Sequence, residues 1–158
     1  MKAKPKSSPS EAVLAALPFL QGLTTRQLQM LAACGMKSKF SGGELVFREG
    51  DLANRFYVIL QGRVELESSR AGHKPVRIET LGPGDVLGWS WLLPPYFWHS
   101  DARVLQDLRV FVLDGLCIRK KCEENHTLGY EMLKRFAQIM EKRLNATRLQ
   151  LLDLYRKR

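Results

Sequence analysis

The chain has 158 residues, of which 45% are hydrophobic and 26% are charged, a balance typical of one compact domain. Its formal net charge is +9, but segments 1–7 and 156–158 together carry six of the excess positive charges. The body is left with about +3, which argues against a nucleic-acid binder built on a basic face.

The longest apolar run, Ala12 to Leu20, is nine residues long and contains Pro18. A helix that crosses a bilayer needs about 20 apolar residues, so no membrane span is expected. Glu11 borders the run and no small-residue cleavage pattern follows it, so a secretory signal is not expected. The sequence predicts a cytoplasmic protein.

The three cysteines, Cys34, Cys117 and Cys122, are sparse and odd in number, unlike the cysteines of a disulfide-stabilised secreted domain. We therefore expect buried or half-buried thiols. Cys117, Cys122 and His126 are close in sequence, but they lack the usual metal-binding spacing and an obvious fourth ligand, so no metal is expected.

The N-terminal part of the chain predicts a disordered basic arm followed by two helices. Segment 1–7 is the arm, and Ser8-Pro9-Ser10-Glu11 has the pattern of a capping box that begins the first helix. Thr24-Thr25-Arg26-Gln27 repeats the signal for a second helix, which Gly35 ends.

Between Met36 and Leu113 the chain changes to short, partly alternating runs separated by glycine-containing turns. Such alternation is typical of half-buried antiparallel strands. The clearest runs are Arg55 to Leu60, Arg63 to Glu67, Val76 to Leu81, Ala102 to Leu105 and Arg109 to Leu113. The predicted fold is mainly β with flanking helices: an eight-stranded antiparallel jelly roll of the cupin-like, double-stranded β-helix type.

A short helix capped by Asp114 follows and runs through Cys122, and a long helix then extends to about Tyr155. The long helix has apolar residues at heptad spacing, which predicts a dimer interface. Its members are Tyr130, Leu133, Ala137, Met140, Leu144, Thr147, Leu151 and Leu154. Phe136 and Ile139 lie off this interface and are expected to pack on the roll. Alternatively, all of these residues form one wide stripe against their own domain.

Three segments together carry a resemblance to a known family. They are Phe40-Ser41-Gly42-Gly43-Glu44-Leu45-Val46-Phe47-Arg48-Glu49-Gly50-Asp51, Phe56 to Leu66, and Leu81-Gly82-Pro83-Gly84-Asp85-Val86-Leu87-Gly88. The chain resembles the cyclic nucleotide-binding domain of the catabolite activator and protein-kinase regulatory-subunit superfamily over about residues 15–155. The resemblance implies a phosphate-binding cassette directly after the third segment.

The cassette departs from the pattern of ligand-binding relatives, in which a Gly-Glu pair opens a one-turn helix and an arginine follows nine or ten residues later. Here Gly88 remains, Trp89 holds the Glu position, and Trp98 or His99 holds the Arg position. Arg103 lies further along the next strand. The resemblance therefore implies weak or no binding of cyclic AMP or cyclic GMP, because a charge-assisted pair is missing.

What remains of the cassette supports two accounts. Trp89 and Trp98 either fill the former nucleotide cavity, leaving an adaptor domain, or line a pocket for another ligand that is planar or anionic. In the second account, free N–H groups at the start of the one-turn helix bind a weak anion. The candidate pocket residues are Gly88, Trp89, Ser90, Trp91, Trp98, His99 and Ser100.

Enzymatic functions are not expected. A cupin-type metal site needs several converging histidines, whereas the chain has three in all, without H-x-H spacing. No nucleophile or nucleotide-hydrolysis motif is present. The chain ends at Arg158, so no helix-turn-helix domain and no reading of DNA are expected.

The sequence thus predicts a non-enzymatic sensor or adaptor without a cofactor. The expected divisions are the arm 1–7, the roll with its N-terminal helices at 8–125 and the dimerisation helix at 126–158. A homodimer is expected, and a small-molecule ligand and a protein partner are both compatible with this organisation. Occupancy of the pocket would move the C-terminal helix relative to the roll.

Overall fold

The computed structural model describes residues 9–68 and 73–157, so the expected basic arm and the Ser8 cap lie outside the described residues. The helices are α1 (Pro9–Ala15), α2 (Thr25–Ala32), α3 (Gly115–Glu124) and α4 (His126–Arg156), with a 3-10 turn at Pro18–Leu20. The strands are β1 (Gly35–Phe40), β2 (Leu45–Phe47), β3 (Arg55–Ser68), β4 (Val76–Leu81), β5 (Val86–Leu87) and β6 (Asp101–Asp114).

Side chains cap three of the helices. Thr24 accepts a hydrogen bond from the Gln27 N–H while the Gln27 side chain accepts one from the Thr24 N–H, which is the reciprocal capping box. Asp114 accepts from the Cys117 N–H at 2.8 Å, and Asn125 accepts from the Leu128 N–H at 3.1 Å. Asp114 and Asn125 thus fix where α3 and α4 begin, directly after the last strand.

The six strands of the described chain form one antiparallel sheet that is ordered β1-β6-β3-β4, with β2 paired to β6 and β5 paired to β3. The mainly β fold with flanking helices is confirmed, but the expected number of eight strands is wrong. The runs beginning at Arg55 and Arg63 belong to one 14-residue strand, β3, and the runs beginning at Ala102 and Arg109 belong to another, β6.

Gly62 explains why the chain continues where a turn was expected. It has φ of 102°, and a Cβ built on it would lie 2.4 Å from the carbonyl oxygen of Asp107 on β6. The pairing of β3 with β6 shifts register around this point, from Ile59↔Val110 to Val64↔Val104. A bulge therefore bends both strands together without breaking their pairing.

Two hydrophobic clusters stabilise the fold. One lies inside the roll and includes Ile59, Val104 and Val110. The other lies between the sheet and the helices, where Leu14, Leu31, Phe136 and their neighbours are fully buried. Ile139 packs against this second cluster. The expected packing of Phe136 and Ile139 on the roll is confirmed.

Cys34 and Cys117 form a disulfide between the end of the α2 region and the first turn of α3, with Cα atoms 5.8 Å apart. The expectation of thiols at these two positions is therefore wrong. The two residues are 83 positions apart in sequence and are brought together by the Asp114 N–H, which donates to the Cys34 carbonyl at 2.9 Å. Cys122 is free, and burial raises the pKa of its thiol.

Arg135 on α4 makes hydrogen bonds to the segment that connects α1 and α2. Its guanidinium donates hydrogen bonds to the Phe19 and Gln21 carbonyls and to the Glu131 side chain. The hydrogen bond from Arg135 lowers the pKa of Glu131.

Within residues 9–68 and 73–157, no helix has a stretch long and apolar enough to cross a membrane.

Candidate functional site

A pocket of about 390 Å³ lies between β4, the loop after β5 and the C-terminal half of α4. This volume is within the ordinary range of small-molecule sites. The lining residues are Phe47, Leu66, Ile78, Glu79, Thr80, Gly88, Trp89, Ser90, Trp98, His99, Ser100, Arg143, Ala146, Thr147 and Gln150.

The pocket contains six of the seven residues expected from the sequence: Gly88, Trp89, Ser90, Trp98, His99 and Ser100. The seventh, Trp91, lies elsewhere. Its side chain is fully buried in the helix-facing cluster, stacked on Phe56 at 4.7 Å between ring centroids and edge-on to Phe136. Its indole N–H has no partner among the described residues. Trp91 therefore anchors the loop and offers nothing to a ligand.

Trp98 forms a fixed wall of the pocket. Its ring stacks on Phe47 with centroids 3.8 Å apart and planes 8° apart, and it is buried. Its backbone accepts a hydrogen bond from Gly50 and donates one to Asp51, both at 2.9 Å. A Cβ at Gly88 would lie 2.6 Å from this ring, so only glycine admits the indole here. Trp98 thus fills part of the cavity and lines the rest.

Trp89 and His99 form the second aromatic wall. Their rings stack with centroids 5.4 Å apart and planes 29° apart. Ser90, which follows Trp89 and also lines the pocket, is only 5% exposed, and its hydroxyl makes no hydrogen bond with the described part of the chain. The pocket is therefore lined by two stacked aromatic pairs with one unused hydroxyl beside them.

The cassette contains a turn where the sequence resemblance predicted a one-turn helix. The Leu92 N–H donates to the Trp89 carbonyl at 3.2 Å, and no helical residues follow. Further along the loop, Arg119 of α3 donates to the Trp91 carbonyl and lies 4.1 Å from the centre of the Tyr96 ring. The described loop therefore has no helix N-terminus of the expected kind, and binding of an anion by its N–H groups stays a prediction.

Arg103 does not reach the pocket. It lies on β6, where its Nε is 3.3 Å from a Glu67 carboxylate oxygen and its Nη1 donates to the Gly43 carbonyl at 3.3 Å. Because these partners hold the guanidinium on the outer part of the sheet, Arg103 does not replace the missing cassette arginine.

Helix α4 contributes four lining residues that the sequence reasoning missed: Arg143, Ala146, Thr147 and Gln150. Arg143, Thr147 and Gln150 have i, i+4, i+7 spacing, which places them on one helix face. A polar stripe at this spacing beside the apolar heptads was the available signal. Gln150 also donates to the Ile78 carbonyl of β4 at 3.4 Å.

Among the described residues that line the pocket, Arg143 is the one lysine or arginine. Its Nη2 donates to the Val86 carbonyl at 2.7 Å, and its Nε lies 3.2 Å from a Glu79 carboxylate oxygen. Burial lowers the pKa of its guanidinium, an effect opposed by the charges of Glu79 and Asp85. An arginine remains ionised at neutral pH despite such a shift.

The residues of the expected dimer interface are mostly exposed. Tyr130, Leu133, Ala137, Leu144, Leu151 and Leu154 are exposed, and Met140 packs partly against the helix-facing cluster. Thr147 is exposed and also lines the pocket. The expected interface and the pocket therefore share the C-terminal half of α4.

Comparisons with known proteins agree with this architecture. The CRP-like cAMP-activated global transcriptional regulator of Mycobacterium tuberculosis is 23% identical over 144 residues, covering 91% of this chain and 62% of the regulator. The cyclic AMP receptor protein of Thermus thermophilus is 24% identical over 96 residues, covering 61% of this chain and 44% of the receptor. The chain thus spans less than two thirds of the length of these relatives.

Solved structures show the same fold. A protein of Geobacter metallireducens described as a cyclic nucleotide-binding protein superposes with a TM-score of 0.76 at 29% identity, covering 87% of this chain and 99% of that chain. The catabolite activator protein of Thermus thermophilus superposes with a TM-score of 0.68 at 21% identity, covering 87% and 63%. The cyclic nucleotide-binding domain family matches residues 37–125, more than half of the chain. This chain belongs to the cyclic nucleotide-binding domain family.

Proposed function

We propose that this chain is a non-enzymatic sensor or adaptor domain that binds cyclic AMP and cyclic GMP weakly or not at all. The supporting observation is the composition of the cassette, where Trp89 takes the Glu position and Trp98 or His99 takes the Arg position of ligand-binding relatives. Trp98 is also stacked on Phe47 and covers Gly88. A cyclic phosphate at this point meets an indole in place of a guanidinium, and the charge-assisted hydrogen bonds are lost.

Calorimetric titration of the full chain with each nucleotide tests this proposal. We expect no heat of binding at micromolar nucleotide, with the Thermus thermophilus cyclic AMP receptor protein as a positive control. Micromolar affinity for either nucleotide would refute the weak-binding proposal.

We further propose that the domain forms a homodimer through α4. The helix has 31 residues, and its C-terminal half exposes leucines at heptad spacing, with Leu144 69% exposed. Exposed apolar stripes of this kind are typical of helix-pairing surfaces. Sedimentation tests the proposal: Leu144→Glu is expected to give monomers. Leu149→Glu, at a leucine off the heptad that is 61% exposed, is expected to leave the dimer intact. A wild-type monomer at high micromolar concentration contradicts the proposal.

A second candidate function is a sensor for a different small ligand in the same pocket. The open volume of about 390 Å³ beside two aromatic pairs favours it. Because α4 lines this pocket through Arg143, Ala146 and Thr147, a bound ligand would contact the helix directly and signal by repositioning it. Ala146→Trp, which fills the pocket from the helix, is the variant expected to abolish such binding.

The partners and the location belong to the same proposal. Six of the excess positive charges lie in segments 1–7 and 156–158, so we propose that the roll itself does not read DNA and that a protein partner receives the signal. We propose a cytoplasmic location. The Cys34–Cys117 disulfide argues against it, because disulfides are rare in reducing compartments. Alkylation of thiols during cell lysis tests it, since a fully oxidised pair would contradict a reducing location.

A further inference from the structure

Arg143, which lines the pocket, is unusually placed for a structural ion pair. The Arg143 side chain is 17% exposed, whereas the side chain of its partner Glu79 is 31% exposed. Burying a guanidinium costs free energy that the partly solvated Glu79 carboxylate and the charge of Asp85 offset only in part. The arrangement therefore leaves a desolvated cation at the edge of an open cavity.

Arg143 also has unused hydrogen-bonding capacity. A guanidinium carries five N–H donors in a planar fork. In the described part of the chain, Nη2 donates a hydrogen bond to Val86 and Nε lies 3.2 Å from the Glu79 carboxylate, while Nη1 donates no hydrogen bond. The free edge matches a carboxylate or phosphate group, which an arginine binds in bidentate fashion.

The rest of the pocket matches the remainder of such a ligand. The Trp89–His99 and Trp98–Phe47 stacks present aromatic surface, and the unbonded Ser90 hydroxyl lies beside them. Flat, apolar groups are favoured by aromatic walls, and a few polar groups fix their orientation. The walls therefore favour a planar ring, and Arg143 favours an acidic substituent on it.

We infer that the pocket binds a planar aromatic compound with a carboxylate or phosphate group, and that this group pairs with Arg143 in place of Glu79. The inference rests on the second candidate function, since it assigns a ligand class to that pocket. In the absence of ligand, the Glu79 carboxylate pairs with the Arg143 guanidinium, so Glu79 competes with the acidic group of the ligand for Arg143.

The exchange of partners has a mechanical result. The Arg143–Glu79 pair and the Gln150–Ile78 hydrogen bond both tie α4 to β4. A ligand that takes Arg143 removes the first tie and connects α4 to the aromatic cassette loop instead. The C-terminal half of α4 then keeps only the Gln150 hydrogen bond to β4 and gains a connection to the loop through the ligand.

Nuclear magnetic resonance titration of the full chain tests the inference with three naphthalene probes of similar shape. They are 2-naphthoate, 2-naphthyl phosphate and the uncharged 2-naphthamide. We expect both anions to shift the backbone amides of Gly88, Ser90 and Ser100 and to bind more tightly than the amide. The tighter of the two anions distinguishes a carboxylate ligand from a phosphate ligand.

Three variants distinguish the role of the anchor from that of the pocket. Arg143→Gln is expected to weaken binding of the anions about tenfold or more and to leave 2-naphthamide unchanged. Glu79→Gln, which keeps Arg143 in place, is expected to tighten anion binding severalfold. Arg148→Gln, an exposed position on the same helix, is the matched control and is expected to change neither.

The failures are separable. Unchanged anion affinity in Arg143→Gln, or no tightening in Glu79→Gln, overturns the assignment of the anchor while leaving a ligand-binding pocket. If no probe shifts the pocket amides at millimolar concentration, the inference and the second candidate function both fail. Neither result bears on the proposed weakness of cyclic nucleotide binding, which is measured separately.

Discussion

Reducing the Cys34–Cys117 disulfide is expected to destabilise the domain strongly. The bond closes a loop with a sequence separation of 83, and it joins the α2 region to α3 across the edge of the sheet. Loop-closure entropy for this separation corresponds to about 4.5 kcal/mol of free energy of unfolding. For a domain of this size, each kcal/mol lowers the melting temperature by about 2–4 °C. Reduction should therefore lower it by roughly 9–18 °C.

Differential scanning calorimetry with and without reductant measures this effect. The double variant Cys34→Ser/Cys117→Ser should melt like the reduced protein and respond to no reductant. The matched control Cys122→Ser should keep the full response, because Cys122 is outside the bond. Thiol counting by mass spectrometry after alkylation in denaturant should give one free thiol before reduction and three afterwards.

Two results would refute this reasoning. Three free thiols in the protein purified without reductant would show that the bond does not form. A melting temperature that falls by less than about 3 °C on reduction would show that the bond forms but that the loop it closes is already restricted in the unfolded chain.

Three further substitutions test other parts of the fold. Gly62→Ala is expected to lower the free energy of unfolding in urea by about 3 kcal/mol, because its Cβ would collide with the Asp107 carbonyl. Gly43 also has a positive φ but has open space around it, so Gly43→Ala should lower the free energy by only about 1 kcal/mol. Equal losses in the two variants would contradict the close approach of β6 to Gly62. Arg135→Met is expected to lower the free energy of unfolding by about 2 kcal/mol and to speed amide hydrogen exchange in the segment before α2, since two carbonyls lose their donor. Unchanged hydrogen exchange would argue against a stabilising role of Arg135 in this segment. The lowered pKa of Glu131 means that its stabilising effect is present above the unfolded pKa and is lost as pH falls through the folded pKa. The melting temperatures of wild type and Glu131→Gln should therefore converge towards pH 3. A difference in melting temperature that stays constant with pH would contradict the pairing of Glu131 with Arg135.

Local signals accounted for the elements whose causes lie within a few residues. Capping at Thr24 and Asp114 depends on a side chain and an N–H three residues later, so the pattern is visible in the sequence. Phe136 and Ile139 were assigned to the roll because helical periodicity separates them from the heptad positions. The family resemblance then indicated where the cassette begins.

Features that depend on distant residues were missed. Cys34 and Cys117 meet only because the ends of β1 and β6 pair, which no spacing in the sequence reveals. Arg143 reaches the pocket because α4 folds back along β4, and heptad spacing alone does not predict that return. The predicted number of eight strands was wrong because a glycine such as Gly62 can indicate either a turn or a bulge.

Thr147 lines the pocket wall and also occupies a position of the proposed dimer heptad. In the proposed dimer, ligand binding and self-association would therefore involve the same helical turn. Thermodynamic reciprocity then requires that the factor by which a ligand changes the dimer association constant equals the factor by which dimerisation changes ligand affinity. If the two events are coupled in the proposed dimer, the apparent dissociation constant of a ligand depends on the total protein concentration, and titrations at two concentrations give different curves.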